Sequence, residues 1–203
     1  MHKLLFAPYL LYNAGGIDPL LRGLISSPVR DNSKPGTVSD ELTENFFKNN
    51  EDVPLDLAAI NIQRGRDHGI PGYKKYLDYC GLENHNLPKD VLQIYDNDLN
   101  KVDLWVGVIS ENNVLNGKVG PLGKCLIEKQ FKEIRDGDKF WYQNQLSEVQ
   151  IAELRKLSLE KIICDHGDGI IQVPEDVLRV GSRMVDCKSL PDVDYRVFDL
   201  GTC

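Results

Sequence analysis

The stretch LDLAAINIQRGRDHGIPGY, residues 55–73, decides the fold prediction for this chain. It places an asparagine, two arginines, an aspartate and a histidine between apolar residues on one short segment. Because an α-helix turns by about 100° per residue, four positions share one narrow stripe: Leu57, Asn61, Arg64 and His68. Apolar residues occupy the other side as well, and this pattern predicts a buried helix.

Polar side chains in a buried helix need partners, since an unpaired buried group costs about 1–3 kcal/mol. The guanidinium of Arg64 suits a bidentate anion, either carboxylate or phosphate. The amide oxygen of Asn61 can accept the second N–H of a metal-ligating histidine. Gly65 costs about 1 kcal/mol relative to alanine in mid-helix, which predicts the close approach of another group. The alternative is a buried ion-pair network of Arg64, Arg66 and Asp67 that only holds helices together.

Composition limits the classes of protein to which the chain can belong. It has 203 residues, of which 41% are hydrophobic and 27% charged, values typical of one globular domain. The formal net charge of −7 argues against a nucleic-acid-binding protein, which needs a basic face. No run of about 18 apolar residues occurs, so no membrane span is predicted.

The cysteines leave the redox state open when they are taken by number alone. None of the five forms a CxxC pair, so the sequence does not predict a zinc ribbon. Four can form two disulfides with one left over, or all can be free thiols: Cys80, Cys125, Cys164, Cys187 and Cys203.

Hydrophobic periodicity and capping residues predict a mainly α-helical chain with almost no strand. The predicted helices are a buried one within 4–12, one opening at Asp18-Pro19, one opening at Ser39, one running from Pro54 to Gly69, and those at 73–80, 88–95, 101–109, 119–135 and 146–163. One short strand is predicted at 170–173.

The segment 55–73 closely resembles the signature of the animal haem peroxidases. The likeness continues through GGIDPLLRGL (15–24), YCGL (79–82), VGPLGKCLIEKQFKEIRDGDKFWYQ (119–143) and KIICDHG (161–167). This resemblance implies the C-terminal portion of the α-helical animal haem peroxidase fold, with residues 1–203 forming a partial haem peroxidase domain.

The resemblance also implies a b-type haem and assigns roles to residues of this chain. Asn61 resembles the asparagine that hydrogen-bonds the iron-ligating histidine, and Arg64 the arginine that pairs with a haem propionate. Leu57 and Ile60 resemble apolar contacts near the haem. His68, although it lies in the signature, resembles a structural histidine.

Two family disulfides correspond to Cys80–Cys125 and Cys164–Cys187, which favours an extracellular, secreted protein. Cys203 is then left over and can form an interchain disulfide. The segment DGDKFWY at 136–142 resembles a helix-terminating core motif, and DHGD at 165–168 is interpreted as a loop beside a disulfide.

Several parts of the family's site correspond to positions upstream of Met1. They are the iron-ligating histidine, the peroxide-cleaving histidine and arginine, the calcium loop, and the carboxylates that esterify the haem. None of the four histidines of this chain matches those positions: His2, His68, His85 and His166. No catalytic residue and no metal ligand is therefore assigned to this chain, and the axial ligand of the haem is expected elsewhere.

The function expected from this resemblance is that of a haem peroxidase, an oxidoreductase that uses hydrogen peroxide to oxidise a small electron donor and takes part in the response to oxidative stress. The chain is expected to be a fragment that is inactive alone. The alternative is a non-catalytic, peroxidase-derived helical module that binds a partner. A hydrolase using Asp67 with His68, or Asp165 with His166, is disfavoured because no serine or cysteine nucleophile motif accompanies them.

Overall fold

The computed structural model of this chain describes residues 7–13, 15–28, 38–48, 53–84 and 87–198. The chain divides into two compact units. The first consists of residues 1–7 and 30–137, and the second of residues 8–29 and 138–203.

Helices dominate the described residues, as the sequence predicts. In chain order the α-helices are α1 (Asp18–Ser26), α2 (Asp40–Thr43), α3 (Leu57–Asp67), α4 (Tyr73–Cys80), α5 (Lys89–Ile94), α6 (Leu104–Ser110), α7 (Pro121–Gly137), α8 (Tyr142–Gln145), α9 (Glu148–Leu154) and α10 (Leu159–His166). Short 3₁₀ helices lie at Pro8–Tyr12, Cys187–Ser189 and Tyr195–Phe198. Strands β1 (Gln172–Pro174) and β2 (Met184–Asp186) pair antiparallel. No helix of these ranges is long and apolar enough to cross a bilayer.

The signature helix α3 begins at Leu57, later than the predicted start at Pro54. Asp56, predicted to lie inside the first turn, is instead the N-cap, and its carboxylate accepts a hydrogen bond from the Ala59 N–H at 3.1 Å. Leu55 forms a β-bridge with Phe46, which holds its backbone extended and delays the helix. The predicted stop is confirmed, since Gly69 follows the helix with a φ of +63°.

The single helix predicted at 146–163 is wrong, because two separately capped helices, α9 and α10, occupy this range. Ser147 and Gln150 form a capping box at the start of α9. The hydroxyl of Ser158 accepts a hydrogen bond from the Lys161 N–H at 3.2 Å and starts α10 anew. A serine hydroxyl can hydrogen-bond the backbone in place of a helical carbonyl. Apolar periodicity does not register this effect, so it predicted one continuous helix.

The apolar N-terminal segment is not the buried helix that was predicted for residues 4–12. Its described part is the 3₁₀ helix Pro8–Tyr12, in which every residue is exposed, Tyr12 by 91%. This 3₁₀ helix of five residues is too short to bury a face of its own, and its side chains are in solvent. Residues 4–6 lie outside the described residues.

The DGDKFWY motif terminates a helix but does not enter the core. α7 ends at Gly137, two residues after the predicted end at 135 and inside this motif, and the carboxylate of Asp138 accepts a hydrogen bond from the Phe140 N–H at 2.8 Å. Phe140 is 73% exposed, so the expected core role of this motif is wrong. The hydrogen bond between Asp138 and Phe140 forms a turn directly after the helix. This turn ends α7 without any burial of the aromatic side chains.

The core of the first unit forms where α4 meets α7. It is built on five buried residues: Tyr73, Leu77, Leu87, Val102 and Leu122. The Cys80–Cys125 disulfide joins α4 to α7, which confirms the first implied pairing.

A second cluster forms the core of the second unit. It contains Ile163, Ile170, Val173 and Val177, with Ile25 of α1 packed against it. The Cys164–Cys187 disulfide joins α10 to the residue after β2 and confirms the second implied pairing. The DHGD segment continues α10 to His166 before it becomes a loop.

Candidate functional site

The signature helix α3 is only half covered, which corrects the expectation that it is buried. None of its residues is fully buried; Leu57, Ile60 and Asn61 are half-buried, and Arg64 is exposed. α3 packs mainly against α2 and α6, and these two helices cover only part of its circumference. The apolar residues on both sides of α3 therefore do not make it a buried helix in this chain.

An apolar cavity of about 320 Å³ lies between α3 and α6. Asn61 lines it and is one of few polar groups there. The residues around it are Asn61, Ile62, Gly65, Ile70, Asp103, Leu104, Trp105 and Val108. Leu57, Ile60 and Arg64 are not among them, so the structure places only Asn61 of the predicted site residues on the cavity wall.

Gly65 faces open space at this wall. A Cβ built at Gly65 would meet no atom within 4 Å, so no group of the described chain makes the close approach predicted there. Within the described residues the amide of Asn61 has no hydrogen-bond partner, and the guanidinium of Arg64 has no carboxylate. A free amide, a free cation and an open helix surface fit the edge and propionate of the haem that the resemblance implies.

Sequence reasoning missed the best-defined polar cluster beside the cavity, which we call the Asp103 cluster: Arg66, Asp103 and Tyr95. Arg66 Nε and Nη2 donate to Asp103 Oδ1 and Oδ2 at 2.9 and 2.7 Å. Tyr95 donates its hydroxyl hydrogen to Oδ2 at 2.9 Å. These contacts join α3 to the residue immediately before α6.

The electrostatics of the Asp103 cluster follow from these hydrogen bonds. Those from Arg66 are the largest cause that lowers the pKa of Asp103, against the opposing effect of partial burial. Burial is the largest cause that raises the pKa of Tyr95, followed by its hydrogen bond to the Asp103 carboxylate. The hydrogen bond with Asp103 also raises the pKa of Arg66. The cluster therefore holds Asp103 as an anion.

The alternative network of Arg64, Arg66 and Asp67 does not form as predicted. Asp67 accepts a hydrogen bond from Gln63 Nε2 at 2.7 Å, and Arg66 turns to Asp103 instead. Arg66 does hold two helices together, as that alternative proposed, but through a partner 37 residues away. No sequence signal indicated this partner, because Asp103 lay inside the helix predicted at 101–109, whereas α6 begins only at Leu104.

The histidines that the structure describes do not line the cavity. His68 caps the end of α3, and its Nδ1 lies 2.9 Å from the Arg64 carbonyl oxygen, a contact that agrees with its structural interpretation. His166 is exposed at the end of α10 in the second unit. His2 and His85 fall outside the described residues, as does Cys203. Among the described residues no group of three or more His, Cys, Asp or Glu is arranged to hold a metal ion.

Comparison with known proteins finds similarity to one protein family, over residues of both units. The sequence profile of the animal haem peroxidase family matches residues 1–178. The chain is 37% identical to the peroxidasin homolog pxn-2 of Caenorhabditis elegans over 216 aligned residues, which cover 98% of this chain and 16% of that protein. It is 38% identical to thyroid peroxidase of Homo sapiens over 208 aligned residues, covering 95% of this chain and 22% of that protein.

A solved structure shares the fold as well. Peroxidase A from Dictyostelium discoideum matches with a TM-score of 0.69 and 28% identity, over 84% of this chain and 34% of that one. The chain thus spans between about a seventh and a quarter of the length of the curated relatives, from 14% to 23%.

Proposed function

This chain belongs to the animal haem peroxidase family, and we propose that it forms one side of a haem site that serves hydrogen-peroxide-dependent oxidation of a small electron donor. The observation that carries the proposal is the cavity between α3 and α6, where Asn61 and Gly65 line an open apolar wall. The signature helix of the family thus presents an unfilled surface and polar groups without partners in the described chain.

We assign the contacts to haem residue by residue. The exposed guanidinium of Arg64 would bind a haem propionate through charge-assisted hydrogen bonds. Half-buried Ile60 and Leu57 lie one and two turns before Arg64 on α3 and would contact the apolar part of the ring. Trp105, Leu104 and Val108 of α6 would keep water from the cavity, which strengthens every hydrogen bond made inside it.

Asn61 would orient the histidine that ligates the iron. Its amide oxygen is free to accept a hydrogen bond from the imidazole N–H that faces away from the iron. This hydrogen bond fixes the tautomer and raises the basicity of the ligating nitrogen. Haem, when bound, supplies the redox-active iron that reacts with peroxide. The roles of this chain are to bind the propionate, to orient the ligand and to exclude water.

The iron ligand, the peroxide-cleaving residues and any calcium loop are proposed to come from outside these 203 residues. Two observations support this proposal. The chain covers only 16% of the peroxidasin homolog pxn-2. Neither His68 nor His166 lines the cavity. We expect the chain alone to bind hemin weakly and to have no peroxidase turnover.

We propose an extracellular location, because two disulfides persist in oxidising compartments and are rare in reducing ones. An interchain disulfide through Cys203 remains a proposal that a non-reducing gel of the purified chain would test. A dimer band that is lost in Cys203→Ser would support it, and a monomer at all protein concentrations would exclude it.

A hemin titration with added imidazole tests the haem assignment, because free imidazole can replace the missing ligand. We expect imidazole to tighten hemin binding, followed in the Soret band, and Arg64→Ala to weaken it severalfold. Arg155→Ala is the matched control, since Arg155 is also an exposed arginine next to a helix end. Equal binding by the Arg64 and Arg155 variants would remove the propionate assignment.

The role of Asn61 has a sharper test in the same assay. Asn61→Ala should weaken hemin binding when imidazole is the added ligand but not when 1-methylimidazole is, since that ligand has no N–H to donate. The same loss with both ligands would contradict the orienting role. A stoichiometric six-coordinate spectrum without any added ligand, together with turnover, would contradict the claim that the axial ligand lies elsewhere.

A further inference from the structure

A second cavity, of about 400 Å³, lies in the second unit between α1 and the β1–β2 hairpin. It shares no lining residue with the α3–α6 cavity and is not part of the proposed haem site. Arg22 of α1 and Arg179 of the hairpin loop both line it. Two cations around one cavity are notable in a chain whose formal net charge is −7.

The positive charge of this cavity is only partly compensated. Arg179 Nε lies 3.6 Å from Asp176 Oδ2, a long ion pair between two well-exposed side chains. Arg22 forms no ion pair with any of the described carboxylates. Glu175, the other carboxylate of the loop, is bound by Arg183 at 2.7 Å and does not line the cavity.

The rest of the wall combines hydrogen-bonding groups with apolar ones. The amide of Gln172 has no partner among the described residues. The Ser182 hydroxyl oxygen accepts the Asp176 N–H at 3.0 Å and keeps its own hydrogen for another acceptor. Ile25, which packs on the core of this unit, and Met184 form apolar parts of the wall.

We propose that this cavity binds a small carboxylate that carries an apolar chain. Arginine is the side chain best suited to the planar, bidentate geometry of a carboxylate. Arg22 and Arg179 would hold the carboxylate, with Gln172 and Ser182 donating further hydrogen bonds. The chain of the ligand would lie against Ile25 and Met184.

Calorimetric titration of the full chain with hexanoate at low ionic strength tests the proposal. We expect saturable binding that weakens about tenfold in Arg22→Ala and in Arg179→Ala, the loss that corresponds to one charge-assisted hydrogen bond. Arg183→Ala is the matched control on the same hairpin, because its guanidinium is engaged by Glu175. It should bind hexanoate as the unchanged protein does.

Hexanol and inorganic phosphate test separately the role of the arginines, which bind the carboxylate, and that of the apolar wall, which contacts the chain. Hexanol should bind without any dependence on Arg22 or Arg179, and phosphate should bind more weakly than hexanoate. Phosphate binding as tight as hexanoate would overturn the role of the apolar wall. Equal losses in all three arginine variants would show a general charge effect and overturn the site.

The amide NMR spectrum provides a test that does not depend on any variant. Hexanoate should shift the Gly181 and Ser182 resonances of the hairpin loop, which lie on the cavity wall. Shifts confined to the first unit, or no shifts at saturating hexanoate, would overturn the proposal.

Discussion

Arg66 and Asp103 form a two-point ion pair that joins the signature helix to the first residue ahead of α6. The side chain of Asp103 is 15% exposed, whereas that of Arg66 is 58% exposed. Asp103 also lines the α3–α6 cavity, so this pair sets the position of one cavity wall. Because the hydrogen bonds from Arg66 lower the pKa of Asp103, protonation of this carboxylate at low pH weakens the contact.

We predict that Asp103→Asn removes part of the acid sensitivity of the first unit. The folded-state pKa of Asp103 lies below its ordinary value of 3.8, so the unfolded chain takes up this proton first as pH falls. Its stabilising contribution is complete above about pH 5 and is lost as pH falls below about 4. The urea midpoint of the unchanged protein should exceed that of Asp103→Asn at pH 6, and the difference should shrink toward pH 3.

Arg66→Gln provides the control for this prediction. Hydrogen bonds from Arg66 are the largest cause of the lowered pKa of Asp103. In the Arg66→Gln background, Asp103→Asn should therefore cause little pH-dependent change in the urea midpoint. A difference between the unchanged protein and Asp103→Asn that stays constant from pH 6 to pH 3 would refute the assignment.

We predict that Tyr73→Phe destabilises the first unit by about 1–3 kcal/mol, the usual cost of leaving a buried acceptor unpaired. Tyr73 donates to Glu111 Oε1 at 2.6 Å, and Glu111 is only 2% exposed. Oε2 of the same carboxylate accepts the Leu122 N–H at 2.9 Å near the start of α7. Tyr76→Phe on the same helix is the control, and similar urea midpoints for the two variants would contradict the prediction.

We predict opposite effects for the same substitution at two helical glycines. A Cβ at Gly107 would overlap the fully buried ring of Tyr73, so Gly107→Ala should destabilise by about 1–3 kcal/mol. Gly65 has open space around its Cβ position, so Gly65→Ala should stabilise by about 1 kcal/mol through helix propensity. Thermal melts of the two variants check this, and a stabilised Gly107→Ala would show that the close packing is wrong.

We predict that each disulfide contributes roughly 3–4 kcal/mol to stability through the chain entropy of the unfolded state. The paired cysteines are 45 residues apart for Cys80–Cys125 and 23 for Cys164–Cys187. Replacing both cysteines of a pair with serine should lower the melting temperature, with the larger decrease for Cys80–Cys125. Peptide mapping without reductant should recover both pairs, and any other pairing would contradict the fold.

Local sequence signals located most helices of this chain. Helix α4 (Tyr73–Cys80) occupies the predicted residues, and the long helix α7 begins and ends two residues later than the predicted range 119–135. The resemblance of the chain to one family also implied both disulfides, which the structure contains. These features depend on side chains that are close in sequence, or on a motif long enough to specify a family.

Tertiary structure decided which groups meet. Apolar periodicity across residues 146–163 gave no sign that the hydroxyl of Ser158 would divide the helix. The pattern on α3 predicted burial, but exposure depends on which elements cover a helix, and among the described elements α2 and α6 make the main contacts with α3.

The amino-acid sequence by itself determined the helical class, the family and the position of the signature helix. The three-dimensional structure alone decided that Arg66 binds Asp103, that Asn61 faces a cavity and that Arg22 and Arg179 share another. The physical reason is range: helix caps and periodicity act within a few residues, whereas these partners are brought together only by the packing of distant segments.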